Sequence, residues 1–264
     1  VLHLLIDFLE YKKQNGTAEE KQMYANMGVI GLVDRLLNKR AVAFVGTYDA
    51  YLLPNGKSGS GGWEKLGTGT GYTSLSLENC LSYDEIKLPA FLSVSSHSFF
   101  INAGKRGNVG VPSRDINSFQ RDGVIIGLIG ARMEKADVME WEEIIISKKQ
   151  NTAKNGYGPC NKDNLKLHNW RRLWAEFYGV TTNFPLYLDA QETRDRYTRL
   201  GDIFFNDDVF RKRIQISAET FLLGAESRAA KSNKTAYVRV VGIGLGVWRI
   251  AAHKTRVFIE SFID

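Results

Sequence analysis

The sequence is poor in cysteine, with only Cys80 and Cys160 among its 264 residues. Two cysteines are too few for a disulfide framework, and they lack the spacing of metal ligands, so we expect a reducing compartment and no zinc site. No apolar run approaches the roughly 20 residues that a helix needs to cross a bilayer. We therefore expect a soluble, cytoplasmic protein that does not act at a membrane.

Other familiar signals are also missing. The basic residues are scattered along amphipathic patterns and form no cluster with interleaved aromatic residues, which argues against nucleic acid as a partner. The late glycines do not have the spacing G-x-G-x-x-G of dinucleotide-binding turns. The first residues, VLHLLIDFLEYKK, include neither methionine nor a charged-then-apolar leader, so we expect a trimmed chain with any targeting signal outside it.

The sequence does have a basic end and enough apolar content for a full core. The net charge is +6, and 44% of the residues are hydrophobic. Residues 211 to 264 contain ten Lys or Arg against four Asp or Glu, which by itself accounts for the excess of six. This distribution favours an anionic ligand or partner near the end of the chain.

The segment AYVRVVGIGLGVWRI, residues 236 to 250, lies in this basic part. Its first six residues alternate and are rich in β-branched side chains, which predicts a buried strand. Gly242, Gly244 and Gly246 follow, and their backbone N–H groups can point into one concavity that favours an anion. A helix beginning near Ile250 would add its partial positive charge. The alternative is a tight strand-to-helix turn without a ligand.

Two further loops carry side chains suited to a nucleotide. In FFINAGKRGNVGVPSRDI, Asn102 ends a predicted strand before a glycine-rich loop, where it can orient a sugar hydroxyl. In QNTAKNGYG, Gln150 and Asn151 can bind adenine edges or ribose hydroxyls, and Tyr157 or Trp248 can stack on adenine. The alternatives are an ordinary Gly/Asn turn and a polar loop without a ligand.

The remaining patterns predict an α/β or α+β chain with a mixed sheet. Residues 1 to 40 are helical in period, with one apolar face at Leu5, Phe8 and Leu9 and a second that includes Ile30 and Leu37. Ser82 and Glu85 have the spacing of a capping box. Strands are also predicted in RAVAFVGTYDAYLL, HSFFIN, DGVIIGLIGARME and WEEIIIS. The near-continuous apolar run in DGVIIGLIGARME predicts a strand that is buried on both faces. Helices are predicted in NLKLHNWRRLWAEFYG and NDDVFRKRIQISAETFLLGAESRAAK.

Five blocks in this order, LSYDEI, SSHSFFINAGKRGNVG, GVIIGLIGARME, QNTAKNGYG and AYVRVVGIGLGVW, resemble the MavL-type macrodomain-like family, over roughly residues 40 to 255. The resemblance implies a macrodomain-like domain over 41–264, a helical extension over 1–40, and no metal or cofactor. It also implies ADP-ribose as the ligand, with the early loop on its distal ribose and the late loop on its pyrophosphate. The implied contact residues are Asn102, Ala103, Gly104, Gly107, Asn108 and Gly110, then Gly242, Gly244, Leu245, Gly246, Val247 and Trp248.

The family's best-known member is a bacterial effector that removes ADP-ribose from an arginine of ubiquitin inside the host cell. The resemblance therefore implies a hydrolase whose partner is an ADP-ribosylated protein, with ubiquitin as one example and the host cytosol as its location. The Gly-Gly-Gly and Gln-Glu-Glu pattern of poly-ADP-ribose glycohydrolases is absent, although WEEI at 141 to 144 resembles its acidic end. That family's catalytic glutamate is therefore not carried over.

Cleavage of a ribose bond to guanidinium passes through an oxocarbenium-like centre, which requires a carboxylate. The candidates are Asp115, Glu142, Asp202 and Asp207. Each of three candidates also has an explanation without catalysis. Glu142 can belong to the polar face of a half-exposed strand, Asp202 can lie in a solvated turn, and Asp207 can cap a helix. None of the four histidines has the pattern of a Ser/His/Asp or Cys/His device, so we expect them to be structural or exposed.

Three functions remain open from the sequence. The favoured one is a hydrolase that removes ADP-ribose from a protein side chain, because the chain combines two ligand loops with spare carboxylates. A reader module that only binds ADP-ribose needs both loops and no carboxylate. A nucleotide-dependent transferase is disfavoured by the missing fingerprint spacing.

Overall fold

The computed structural model describes residues 1–45, 48–68, 75–104, 110–160 and 162–263. The chain begins with the predicted helices, which are α1 Leu2–Asn15, α2 Ala18–Tyr24 and α3 Val29–Asn38. The first apolar face is buried at Leu5, Phe8 and Leu9, as predicted. The second is only partly buried, because Ile30 and Leu37 are exposed on α3.

The first sheet is a small antiparallel meander. It consists of β1 Ala43–Val45, β2 Ala50–Leu52 and β3 Ser58–Ser60, in the order β1-β2-β3. The prediction of one strand over RAVAFVGTYDAYLL is wrong, because the chain reverses near Asp49, whose φ is +50°. The reversal brings Tyr51 against Trp63, with ring centroids 4.7 Å apart.

The capping box at Ser82 is confirmed. Helix α4, Tyr83–Ile86, begins after Ser82, whose hydroxyl accepts from Glu85 N while the Glu85 carboxylate accepts from Ser82 N. Strands β4 Val94–Phe99 and β5 Asp122–Gly127 then form a second, antiparallel sheet. The prediction that β5 is buried on both faces is wrong, since Val124 and Ile125 are exposed on this two-stranded sheet.

The second half of the chain is mostly helical. Its elements are α5 Trp141–Ile144, β6 Ile145–Ile146, α6 Leu165–Phe177, α7 Tyr187–Glu192, β7 Thr198–Leu200, β8 Ile203–Phe205, α8 Asp207–Lys231 and α9 Lys254–Glu260. The third sheet has the order β6-β8-β7, with antiparallel pairs. WEEIIIS is therefore a helical turn before a short strand, and the turn carries Glu143 to an ion pair with buried Lys87.

The segment 236 to 241 differs most from its prediction. It is neither a strand nor buried in the described structure, and Tyr237 is 88% exposed. Alternating β-branched residues form a strand only where another strand accepts their backbone hydrogen bonds. The helix expected to begin near Ile250 begins instead at Lys254.

One hydrophobic core joins the first helices to the rest of the molecule. The rings of Phe8 on α1 and Trp170 on α6 meet edge to face at 6.1 Å, and the Lys12 amine lies 2.6 Å from the Asp84 carboxylate of α4. The mixed α/β class is confirmed. A domain boundary at residue 40 stays a prediction, but the packed core is continuous across it.

A buried ion pair fixes α3 against α4, and its removal should be costly. The Glu85 carboxylate lies 2.6 Å from Arg35 Nε and accepts a bond of the same length from the Tyr24 hydroxyl. Glu85→Gln leaves the buried guanidinium unpaired, so we expect the free energy of unfolding to fall by about 3 kcal/mol. Urea unfolding measures this loss. Glu78→Gln, at an exposed carboxylate nearby in sequence, should change it by less than about 0.5 kcal/mol.

Candidate functional site

The late glycine loop, residues 242 to 248, packs tightly against the backbone at residues 130 and 131. Gly244 has φ +76°, and a Cβ there would lie 3.1 Å from the Gly130 Cα and 3.2 Å from Ala131 N. A Cβ on Gly130 would lie only 2.4 Å from Gly244 N. Packing therefore requires both glycines, in keeping with the alternative of a tight, closely packed turn that the sequence left open. Gly246 is different, because nothing lies within 4 Å of a Cβ at that position.

The backbone of this loop presents free donors. Leu245 N donates to the Gly242 carbonyl and Arg249 N to the Gly246 carbonyl. Among the described residues, no carbonyl accepts from the N–H groups of the following residues: Gly244, Gly246, Val247 and Trp248. Successive unpaired N–H groups in a turn form an anion-binding concavity. The geometry agrees with the predicted anion loop in this respect.

Three buried cations lie beneath and beside the loop. Lys254 Nζ donates to the carbonyls of Gly244 at 2.9 Å and Trp248 at 3.0 Å. The Arg132 guanidinium lies 5.8 Å from the centre of the Trp248 ring. Arg213 is also fully buried, and its Nε has no hydrogen-bond partner among the described residues.

One carboxylate, that of Glu140, is shared by this cationic group. It accepts from Arg213 at 3.1 Å and from the Arg132 backbone N–H at 3.1 Å. The pKa of Lys254 is lowered to about 7, mainly by burial, while Glu140 acts to raise it and nearby Arg213 acts to lower it. Burial likewise lowers the pKa of Arg132 to about 10. Buried positive charge in excess of its counter-ions favours an anion at the adjoining surface.

The early loop lies next to the segment that leads into the glycine loop. Arg239 donates to the Ala103 carbonyl at 3.1 Å, so the early loop contacts the segment just before the glycine loop. The Asn102 side chain accepts from Gly104 N and donates to the Val111 carbonyl, which shapes its own loop. Gly104 and Gly110 have positive φ, as a glycine turn requires. The other predicted contacts of this loop, Gly107 and Asn108, lie outside the described residues.

Asp207 is the predicted catalytic residue that the structure connects to the glycine loop. Its Oδ1 lies 3.1 Å from His253 Nε2, and its Oδ2 accepts from the Thr198 hydroxyl at 2.6 Å. His253 directly precedes Lys254, which holds the loop. The sequence pattern did not indicate this pairing of His253 with a carboxylate. The helix cap is Asn206 rather than Asp207, so the capping alternative is also wrong.

The other predicted carboxylates have different surroundings. Asp202 is exposed in the turn between β7 and β8, and Asp115 is exposed with its Oδ1 accepting from Asn117 N. Glu142 is half-buried in ion pairs, 2.8 Å from Arg171 and 3.4 Å from Lys87. Its neighbour Glu143 is fully buried, and burial raises the pKa of that carboxyl despite the nearby lysine. A catalytic role for any of these residues stays a prediction.

Gln150 and Asn151 are buried and bind the protein's own backbone. Gln150 donates to the Ile145 carbonyl and Asn151 to the Pro185 carbonyl. These bonds hold the turn after β6, and the adenine contact predicted for both amides stays a prediction. Tyr157 cannot stack on adenine here, because it is fully buried and donates to the Glu142 carbonyl. Trp248 is half-buried, and an adenine contact on its ring stays a prediction.

A cavity of about 730 Å³ lies elsewhere in the described structure. Neither the glycine loop nor Asn102 contributes to its lining. Asn206 and Asp208 line it at the N-terminus of α8, whereas Asp207 between them bonds His253. Arg172 and Arg196 offset Asp208 and Asp189 in its wall, so no charge excess marks it as an anion site. The glycine loop, with its free donors and buried cations, fits a diphosphate better.

Within the described ranges, no group of three or more His, Cys, Asp or Glu residues could hold a metal ion, and no helix is long and apolar enough to cross a membrane. Cys80 and Cys160 are both free thiols. Burial raises the pKa of the Cys80 thiol to about 11, so this thiol is not a nucleophile near neutral pH.

Known proteins match the whole chain. A family model described as "ADP-ribosylhydrolase MavL-like" matches residues 1–264, so it includes the helical start as well as the five blocks noted in the sequence. In Drosophila melanogaster, the chain is 46% identical over 266 residues to ADP-ribosylarginine hydrolase CG3568 and 41% identical over 265 residues to ADP-ribosylarginine hydrolase CG2909. Each alignment covers 99% of the chain and 52% of the relative. The chain thus spans about half the length of the curated relatives it matches.

Proposed function

The chain belongs to the MavL-like ADP-ribosylhydrolase family, and we propose that it binds ADP-ribose and hydrolyses the bond between its distal ribose and an arginine side chain of a protein. The main support for this proposal is that a glycine loop over buried cations lies next to the pair formed by Asp207 and His253. The relatives named ADP-ribosylarginine hydrolase support the same linkage.

The diphosphate would lie on the backbone of residues 242 to 248. The unpaired N–H groups of this loop supply donors, and the excess charge of Arg132, Arg213 and Lys254 over Glu140 supplies the attraction. Trp248, half-buried beside the loop, offers a ring face to the adenine. The contact between Arg239 and Ala103 brings the early loop within reach of the distal ribose.

Hydrolysis requires water to attack C1″ of the distal ribose as the bond to the arginine nitrogen breaks. The oxygen of water forms the new C1″–OH, one proton goes to a base, and the guanidine leaves with a proton from an acid. A carboxylate close to C1″ stabilises the oxocarbenium-like centre. Asp207 suits this role because Thr198 and His253 fix its two oxygens, and His253 can carry the proton.

Asn102→Ala tests the place of the distal ribose. Because Asn102 shapes the early loop through Gly104 and Val111, we expect the change to weaken ADP-ribose about tenfold. AMP, which lacks the distal ribose, should lose less than about threefold. Calorimetry with both ligands measures the difference. Asn117→Ala, in an exposed position of the same loop region, serves as the control, and equal losses for both ligands in Asn102→Ala would refute the assignment.

The release of ADP-ribose from a protein modified on arginine tests the proposed reaction. We expect release from this substrate and much slower release from the same protein modified on glutamate, because a carboxylate such as Asp207 attracts the cationic guanidinium and not a neutral ester. Ubiquitin modified on arginine is the first protein substrate to assay, in keeping with the sequence resemblance. A chain that binds ADP-ribose and releases none would be a reader module. An origin as a bacterial effector and a location in host cytosol stay predictions.

A further inference from the structure

Lys254 lies beneath the glycine loop and bonds both of its ends. The amine is fully buried at the start of α9 and donates to the carbonyls of Gly244 and Trp248. The three residues between these carbonyls, 245 to 247, include the open position Gly246. A buried ammonium that binds two carbonyls four residues apart fixes the curvature of the chain between them.

This curvature determines which backbone groups face outward. The two carbonyl oxygens are drawn inward to the amine, and the unpaired N–H groups of Gly246 and Val247 lie between them. Charge-assisted hydrogen bonds are roughly twice as strong as neutral ones. The loop is therefore held firmly when the amine is charged and weakly when it is neutral.

We propose that Lys254 is a positioning residue that holds residues 244 to 248 in the shape that accepts a diphosphate, and that binding of the diphosphate is coupled to protonation of this amine. This inference rests on the proposed function of the same loop. Nothing in the sequence pattern marks Lys254, which is one of ten basic residues after position 210.

The surroundings of Lys254 make its charge sensitive to an anion. Glu140 favours the ammonium and Arg213 of α8 opposes it, while the Phe210 ring of α8 lies 5.1 Å from the amine. The neighbouring titratable groups are His253 and its partner Asp207. Burial brings the pKa to about 7, far below the usual value near 10.5. A bound diphosphate stabilises the ammonium and raises this pKa, so affinity should fall as pH rises above 7.

Hydrogen exchange of the loop tests the positioning role without any ligand. After correction for intrinsic rates, we expect the hydrogen-bonded backbone amides of Ile243, Leu245 and Arg249 in the parent to exchange roughly tenfold faster at pH 8.5 than at pH 6.5. Lys254→Met should exchange fast at both pH values, and Lys254→Arg should restore part of the protection. Lys234→Met, which removes an exposed lysine, is the matched control and should behave as the parent does.

Calorimetry with ADP-ribose then tests the coupling. In the parent, we expect affinity to fall roughly tenfold from pH 6.5 to 8.5, with proton uptake on binding that shows as a dependence on buffer ionisation enthalpy. Lys254→Met should bind about tenfold more weakly at pH 6.5 and lose this pH dependence. His253→Gln should keep it. If the dependence survives in Lys254→Met and disappears in His253→Gln, the coupling belongs to His253 and the inference is wrong.

The two tests separate this inference from the proposed function. The parent could bind and release ADP-ribose with an affinity that does not depend on pH, while Lys254→Met leaves the hydrogen exchange of the loop unchanged. These results would contradict the role of Lys254 and leave the proposed function intact. Loop protection that depends on Lys254 in a chain that binds no ADP-ribose would support the positioning role and reject both the function and the diphosphate coupling. If Lys254→Met fails to fold, His253→Gln still decides the matter. A pH dependence of affinity that persists in His253→Gln supports Lys254, and one that disappears there contradicts the inference.

Discussion

Asp207→Asn is expected to lower turnover by about 100-fold or more and to change ADP-ribose affinity by less than about threefold. A carboxylate that stabilises the cationic centre acts in the transition state and contributes little to the ground-state complex. Asparagine keeps the size of the side chain and its hydrogen bond with Thr198, but it carries no charge to stabilise the reacting sugar or the His253 imidazolium. Single-turnover release of ADP-ribose and calorimetry measure the two effects separately.

Asp208→Asn is the matched control for this variant. Both aspartates lie in the first turn of α8, where each interacts similarly with the helix dipole, but only Asp207 bonds His253. We expect Asp208→Asn to retain turnover within about threefold. If Asp207→Asn also keeps parental turnover and Asp115→Asn loses it, the catalytic carboxylate lies on the early loop instead.

Gly246→Val is expected to weaken ADP-ribose about 100-fold while leaving the melting temperature within about 2 °C of the parent. Apart from its chain neighbours, none of the described residues has an atom within 4 Å of a Cβ at this position, so the new side chain extends into space that the diphosphate would need. Gly244→Val should also abolish binding, but it should lower the melting temperature as well. Its Cβ meets the backbone of Gly130 and Ala131, and its φ is positive.

Gly28→Val controls for the addition of a branched side chain at an open glycine. Gly28 precedes α3, far from the loop in sequence, and nothing lies within 4 Å of a Cβ there. We expect parental affinity for ADP-ribose in this variant. Parental affinity in Gly246→Val as well would show that the ligand does not approach this part of the loop.

Local patterns in the sequence predict the parts of the fold that local forces decide. The capping box of Ser82 and Glu85 forms as expected, because both partners lie within one helical turn. The apolar face of α1 is buried, as its period requires. The alternation in residues 236 to 241 predicts a strand that does not form, because a strand needs a neighbouring strand to pair with and the pattern does not specify one.

The candidate site depends on contacts that no short pattern encodes. His253 and Asp207 are 46 residues apart, and the pair becomes visible only when α9 packs against α8. The glycine trio marks the loop in the sequence, but the buried cations around it come from three separate segments, at Arg132, Arg213 and Lys254. Glu142 is selected because of its acidic motif, but in the structure it forms ion pairs with Arg171 and Lys87.

The most direct test of the account is mass spectrometry of the products formed from an arginine-modified peptide in water enriched in oxygen-18. We predict that the chain restores unmodified arginine and releases ADP-ribose with one heavy oxygen at C1″, and that Asp207→Asn forms both products about 100-fold more slowly. A chain that binds ADP-ribose but leaves the peptide modified would contradict the proposed hydrolysis.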